Sequence, residues 1–228
     1  MNSNLISVDN QHRFSYVDMI DLPPFLRFYG WVCGAISKVY IPSPDATIIS
    51  TFHYDYIKPS DESVVLTGGL LRKNIEDIKP TDEGFILVYL RDSVSERILD
   101  CLKQVHGKYK IYGAKDKFDH PDFEFKELSS GFVNDLASCS KLISTAGNQL
   151  ITEARYYQKP CLLIPEPNQY EQYINAVYAE RMGIGQLCYI KNLTPNVVNN
   201  FFNFKNTCNS PPNGVDKVVE VIKYYLIN

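Results

Sequence analysis

The chain has 228 residues, 45% of them apolar, and a formal charge of −3, with a pI of about 5.8. That size and apolar share support one generous domain, or one domain plus part of another. The acidic balance excludes a general electrostatic attraction to nucleic acid, whose binders carry a basic face. The six cysteines, Cys33, Cys101, Cys139, Cys161, Cys188 and Cys208, form no CxxC pair. His12, His53, His106 and His120 are equally scattered. Reduced, mostly buried thiols of a cytosolic protein are therefore expected, and no metal site. The opening MNSNLISVDNQHRF lacks the regions of a signal peptide, and no apolar run reaches the length of a membrane span.

In chain order, Leu5 to Val8 is a short apolar run. Pro23 to Tyr40, PPFLRFYGWVCGAISKVY, reads as a helix, either of the core or at a membrane surface beside Arg27 and Lys38. Thr47 to Thr51 and Ser63 to Leu66 read as strands, and Phe85 to Leu90 (FILVYL) as a strand buried on both faces. Val94, Ile98, Leu99, Leu102 and Val105 then follow helical spacing. Lys108 to Tyr112 and Phe123 to Phe125 are strand candidates, Phe132 to Ala137 a short helix, and Lys141 to Ser144 a strand. Gln149 to Tyr157 is helical, Cys161 to Ile164 a strand, and Tyr170 to Met182 a helix stopped by Gly183 and Gly185. Leu187 to Ile190 reads as a strand, Pro195 opens a helix, and Asp216 to Leu226 forms the last one. Strands separated by helices imply a doubly wound parallel α/β sheet. In such sheets ligands bind beyond the carboxyl ends of the strands, which points to the loops GGLLR, RDS, YGAKD, STAGN and PEPNQ.

The most informative stretch is LISTAGNQLITEARYYQKPCLLIPEPNQYEQYINAVYAERMGIG, Leu142 to Gly185. Ala146-Gly147 turns the backbone sharply from a strand into a helix, whose first N–H groups attract phosphate. Glu153, further along that helix, is placed to accept hydrogen bonds from two vicinal hydroxyls, as on a ribose. Asn168, Gln169, Glu171, Gln172 and Asn175 suit a polyhydroxylated ligand. Taken singly, each feature is equally at home in any α/β protein, with Glu153 a solvated helix residue.

This segment resembles the donor-binding part of family 28 glycosyltransferases, the group that includes the peptidoglycan N-acetylglucosaminyltransferase. The shared pattern is a small-residue turn, Glu in the next helix, "KP" before a strand, Pro after it, then Gln and "NA". The resemblance covers about residues 60 to 190 and implies a Rossmann-like C-terminal lobe of the two-domain GT-B fold. By that resemblance Glu153 binds ribose, and Thr145, Ala146, Gly147 and Asn148 line the diphosphate. Gln172 with Glu171 reaches the sugar, and Asn175 braces the loop. GGLLR is similar to the segment at the entry to the donor lobe, so Arg72 pairs with a donor phosphate. GFVND is similar to the segment contacting uracil, making Phe132 and Val133 base-pocket candidates. VDNQH is similar to the HEQN segment ending the first domain, so His12 or Asp9 faces the acceptor as a catalytic candidate, against the structural role more usual for a lone histidine.

The resemblance implies a UDP-sugar donor, no cofactor and no obligatory metal. Residues 1–58 would be an acceptor-lobe remnant and 59–228 the donor lobe. Two departures stand out: Arg91-Asp92-Ser93 replaces the family's glycine-rich turn, and only seven residues precede Val8, so the acceptor lobe is expected to be missing. Three readings stay open. The chain is a hexosyl- or N-acetylhexosaminyltransferase (or a fragment of one), a binding subunit needing a separate acceptor-lobe protein or a second copy, or a degenerate non-catalytic domain. A cytoplasmic location is expected, with peripheral contact at the inner membrane face as a variant.

Overall fold

The computed structural model describes residues 4–40, 44–55, 57–59, 64–128 and 131–227, with side chains as far as 225. Ser63 of the second expected strand lies outside the described residues, as does the side chain of Leu226 in the last expected helix. The elements run β1 (Ile6–Asp9), α1 (Arg13–Tyr16), α2 (Pro24–Tyr40), β2 (Ala46–Ser50), β3 (Val64–Thr67), β4 (Ile86–Tyr89), α3 (Asp92–Leu102), β5 (Tyr109–Tyr112) and β6 (Phe123–Lys126). They continue with α4 (Gly131–Ser138), β7 (Lys141–Ser144), α5 (Asn148–Tyr156), β8 (Cys161–Leu163), α6 (Tyr170–Arg181), β9 (Gly185–Leu187), α7 (Pro195–Phe201) and α8 (Val215–Ile227). The chain divides into two compact units, Met1–Leu71 with Pro211–Asn228, and Arg72–Ser210.

The first unit holds a three-stranded sheet in the order β1-β2-β3, parallel throughout. Its middle strand is buried along its whole length, as a covered parallel strand must be. The last helix returns to this sheet: Thr67 Oγ1 donates to the Gly214 carbonyl at 3.2 Å, and Tyr225 OH to that of Asp45 at 3.1 Å. Helix α2 buries only a narrow stripe, Leu26, Gly30 and Gly34. A Cβ on Gly34 would lie 2.4 Å from the Phe14 carbonyl oxygen, so glycine is what lets α2 approach the α1 backbone. Phe25, Phe28, Trp31, Ile36, Val39 and Tyr40 remain exposed on the same helix.

The second unit is a six-stranded parallel sheet in the order β6-β5-β4-β7-β8-β9. Its first strand lies inside the sheet, and later strands are added first on one side and then on the other. The winding therefore reverses between β4 and β7, as expected of a doubly wound sheet. Ile86, Val88, Ile111, Ile143 and Leu162 pack with Val94, Ile98 and Leu102 of α3 and with Val198 and Phe201 of α7. The alternate residues Leu87, Leu142 and Leu163 are equally buried, so both faces are covered. The ninth strand begins two residues before the expected Leu187. At Gly185 the backbones come so close that a Cβ would sit 2.4 Å from the Cys161 carbonyl oxygen, and the pairing starts there. Ile190, the expected end of that strand, instead opens a 3₁₀ turn over residues 190–192.

Two polar ties fix this unit. Lys159 Nζ, its pKa lowered by burial, donates to the carbonyls of Thr81 at 2.6 Å and Cys139 at 2.8 Å. Asp135 of α4 accepts from Lys110 Nζ at 2.6 Å and Tyr112 OH at 2.5 Å on β5, and pairs with Lys126 Nζ of β6 at 3.1 Å. Burial alone would raise the Asp135 pKa; the donors outweigh it and hold the group below its ordinary 3.8. A depressed carboxylate contributes stability that is present above the unfolded value and lost as pH falls through the folded one. Asp135→Asn should therefore cost about 1–3 kcal/mol at neutral pH. In urea unfolding across the acid range, the gap to wild type should close as the native carboxylate protonates. A gap independent of pH would remove this network from the account.

Candidate functional site

Parallel strands deliver all their carboxyl ends to one edge of the second unit, and the sharpest local feature of that edge is the turn from β7 into α5. Ala146 adopts φ 64°, a left-handed conformation that costs a residue with a Cβ roughly 1–2 kcal/mol. The turn is held by Asn175 of α6, whose Nδ2 donates to the Ala146 carbonyl at 2.9 Å. Gly147 is the N-cap of α5, a nine-residue helix, and supplies no side-chain cap bond; a helix start of this kind favours an anion through its partial positive charge. Ser144 Oγ and Asn175 Oδ1 are buried here without a hydrogen-bond partner. Buried polar atoms of that kind are rare and mark places where a ligand or water completes the set.

The expected residues gather around this turn. Thr145 and Ala146 are buried, whereas Gly147 is exposed and Asn148 half-buried. Glu153, 1% exposed, accepts a forked pair from Arg72: Nε to Oε1 at 2.8 Å and an Nη to Oε2 at 2.6 Å. Gln149 Nε2 adds a third bond to Oε1 at 2.9 Å. A carboxylate offers about four lone-pair sites, so Oε2 keeps room for one more donor. The Arg72 guanidinium also lies 6.0 Å from the Phe132 ring. Phe132 opens α4 and packs edge-on against Tyr89 and Tyr112, with Val133 buried beside it in sequence.

Beyond the turn, a cleft of about 470 Å³ is lined by Tyr89, Leu90, Arg91, Asp92, Ser93, Gly113, Leu128 and Glu166. Ser93 Oγ donates to Glu166 Oε2, which links the loops after β4 and β8 across the end of β7. Gln172 Oε1 accepts the Glu166 N–H at 2.8 Å while its Nε2 donates to Glu166 Oε1 at 2.9 Å; Glu171 is half-buried in the first turn of α6. Ser93, Gln149 and Glu166 were not among the expected site residues. Ser93 and Glu166 do lie in the post-strand loops RDS and PEPNQ, but their pairing joins positions 73 residues apart that no local pattern relates. Asp9 and His12 belong to the first unit, where His12 Nδ1 sits 2.6 Å from Asp9 Oδ2.

A family model described as Glycosyl transferase family 1 matches residues 2–204. A relative in Prochlorococcus marinus (strain NATL2A), a UDP-N-acetylglucosamine--N-acetylmuramyl-(pentapeptide) pyrophosphoryl-undecaprenol N-acetylglucosamine transferase, is 29% identical over 159 residues. The match covers 60% of this chain and 45% of the relative, so the chain spans less than half of that protein. Among solved structures, Acinetobacter baumannii MurG aligns at TM-score 0.54 and 17% identity, over 86% of this chain and 71% of its own. The spinosyn forosaminyltransferase SpnP gives 0.56 and 13%, over 90% and 62%. LpCGTa in complex with UDP gives 0.52 and 15%, over 79% and 50%. At such identities the shared property is the fold, the α/β parallel-sheet architecture of GT-B glycosyltransferases.

The forked pair gives a test within this unit. Arg72→Met leaves a buried carboxylate with one neutral donor and should lower the unfolding free energy by about 1–3 kcal/mol. Combining it with Glu153→Gln should cost less than the two single changes summed, by at least about 0.5 kcal/mol. Urea unfolding of the four proteins measures the difference, and strict additivity would mean the pair is not formed in solution.

Proposed function

Since the chain belongs to glycosyl transferase family 1, we propose that its second unit binds a nucleoside-diphosphate sugar, UDP-linked, whose hexosyl or N-acetylhexosaminyl group passes to an acceptor hydroxyl. The observation that carries this reading is the β7–α5 turn, where uncapped helix amides lie beside the unpartnered Ser144 Oγ and Asn175 Oδ1. A diphosphate seated there takes the amide donors of α5 and gains from the positive end of the helix. Glu153 accepts a ribose hydroxyl at the free site on Oε2, and a second one requires Arg72 to yield Oε1. Arg72, already half exposed, is then released toward the phosphates, where a guanidinium fork matches two oxygens. Phe132 and Val133 face the base, and Gln172 with Glu171 faces the sugar. Positioning the donor and neutralising the charge that develops on the departing diphosphate are what this unit contributes to transfer. That a structure of this fold has been solved in complex with UDP supports the choice of nucleotide.

The exposed apolar face of α2 favours a second reading, a binding subunit that acts with a separate acceptor-lobe protein. No described helix is long and apolar enough to cross a membrane, and the same face would serve equally for contact at the inner membrane surface. Under the subunit reading the chain alone binds UDP but transfers nothing. Release of UDP from a UDP-sugar by this chain alone, dependent on an added alcohol, would remove that reading.

The donor assignment is tested by calorimetry with UDP and 2′-deoxy-UDP. Wild type should prefer UDP by about 1–3 kcal/mol, the worth of a hydrogen bond to a charged group. Glu153→Gln should shrink that preference while keeping most of the deoxy-nucleotide affinity. No heat at millimolar UDP would leave the non-catalytic domain as the better description.

A further inference from the structure

Helix α2 carries two apolar seams, and its own chain uses one of them. Leu26, Gly30 and Gly34 are buried, with Gly34 close against the α1 backbone at Phe14. Phe25, Phe28, Val32, Ala35 and Val39 recur at spacings of three and four residues, the pattern by which one helix meets another. This second seam faces outward: Val32 is half-buried and the other four are exposed. We propose that it is covered by a second copy of the chain, in a two-fold dimer whose α2 helices pack antiparallel.

The exposed area matches such an occupant. Phe25, Phe28, Trp31, Ile36, Val39 and Tyr40 are 49% to 82% exposed, and Phe28 and Trp31 set their rings 6.3 Å apart. At about 150–250 Å² for each aromatic side chain, the six expose roughly 700 Å². That exceeds the apolar patch of about 300–600 Å² normal on a monomer. It approaches the roughly 800 Å² that each partner gives to a standard interface. A two-fold pairing joins a surface to itself, and this seam fits its own reverse. Turned about Val32, Phe25 falls beside the partner's Val39, and Phe28 beside the partner's Ala35, large against small.

Charge separates this occupant from a lipid surface. Adsorption to anionic lipid draws on clusters of about four to eight basic residues. Helix α2 carries only Arg27 and Lys38, Asp18 and Asp21 precede it, and the chain as a whole has a charge of −3. Lys38 Nζ is already placed 4.9 Å over the Tyr16 ring. In the antiparallel pair Arg27 comes near the partner's Lys38 along one rim, a like-charge contact that salt screens. Association of two copies therefore strengthens with salt, whereas attachment to anionic lipid weakens. A separate acceptor-lobe protein, the other occupant of this face, requires no seam that complements itself.

The experiment uses the full chain, with Trp31, its one tryptophan, as reporter. Between micromolar and near-millimolar protein, sedimentation equilibrium should pass from monomer to dimer. Over the same range Trp31 emission should move to the blue and acrylamide should quench it less, and added salt should favour the dimer. Phe28→Glu should raise the dissociation constant at least about tenfold. Val219→Glu, at an exposed apolar position of α8, should leave it unchanged. The wild-type series and its salt response need no variant, so they stand even if Phe28→Glu fails to fold. A monomer throughout, an unshifted Trp31, or a dimer indifferent to Phe28→Glu would overturn the proposal. Blue emission seen only with phosphatidylserine vesicles, and lost as salt rises, would assign the face to lipid and overturn it equally. No nucleotide enters the measurement, so the outcome is independent of the donor reading.

Discussion

The candidate site hangs on a single amide, the side chain of Asn175. Its Nδ2 bond to the Ala146 carbonyl offsets the strain of a left-handed alanine between β7 and α5. Glycine follows rather than occupies that position, so the sequence itself does not relax the turn; α6 does. Fully buried, Asn175 cannot be exchanged for an apolar residue without freeing a buried carbonyl. Because α6 also carries Gln172, the element that braces the turn is the one that reaches the loop after β8. The turn before α5 and the Gln172 side chain thus share α6 as their support.

Charge at this edge is arranged by compensation rather than by excess. Glu153 would be costly to bury alone, and Arg72 and Gln149 make it tolerable. The forked pair thus satisfies both charged groups within the unit. Away from the edge, Asp135 serves a different purpose. Three donors from neighbouring strands converge on it and tie α4, and with it Phe132, to the sheet.

The periodicity of the chain made the second unit largely legible. FILVYL reads as a strand covered on both faces, and β4 is such a strand, with Leu87 and Val88 buried at adjacent positions. The stop after α6 was visible as Gly183, whose φ is 75°. Thr194 before Pro195 caps α7 by accepting from the Val197 N–H, as a helix start predicts. What stayed hidden is long-range. Arg72 and Glu153 stand 81 residues apart, and each looks like a surface charge until the fold joins them. The return of α8 to the first unit depends on bonds such as that from Thr67 to Gly214, 147 residues away. Within the first unit, the spacing of Asp9 and His12, with two residues between them, was plain in the sequence, but the unpartnered His12 Nε2 is a property of burial, which no spacing encodes.

The loop after β4 illustrates how such a site tolerates departure from a familiar pattern. A glycine-rich turn lets phosphate approach the backbone; Arg91-Asp92-Ser93 cannot offer that, and α3 begins with no side-chain cap at Arg91. The chain instead places an arginine at the cleft and directs Ser93 Oγ toward Glu166, drawing the β8 loop across the end of β7. Asp92 and Glu166 share that cleft with Arg91, so its lining carries both signs of charge. Charge at this mouth is therefore supplied by side chains, without the close backbone approach that glycine would have allowed.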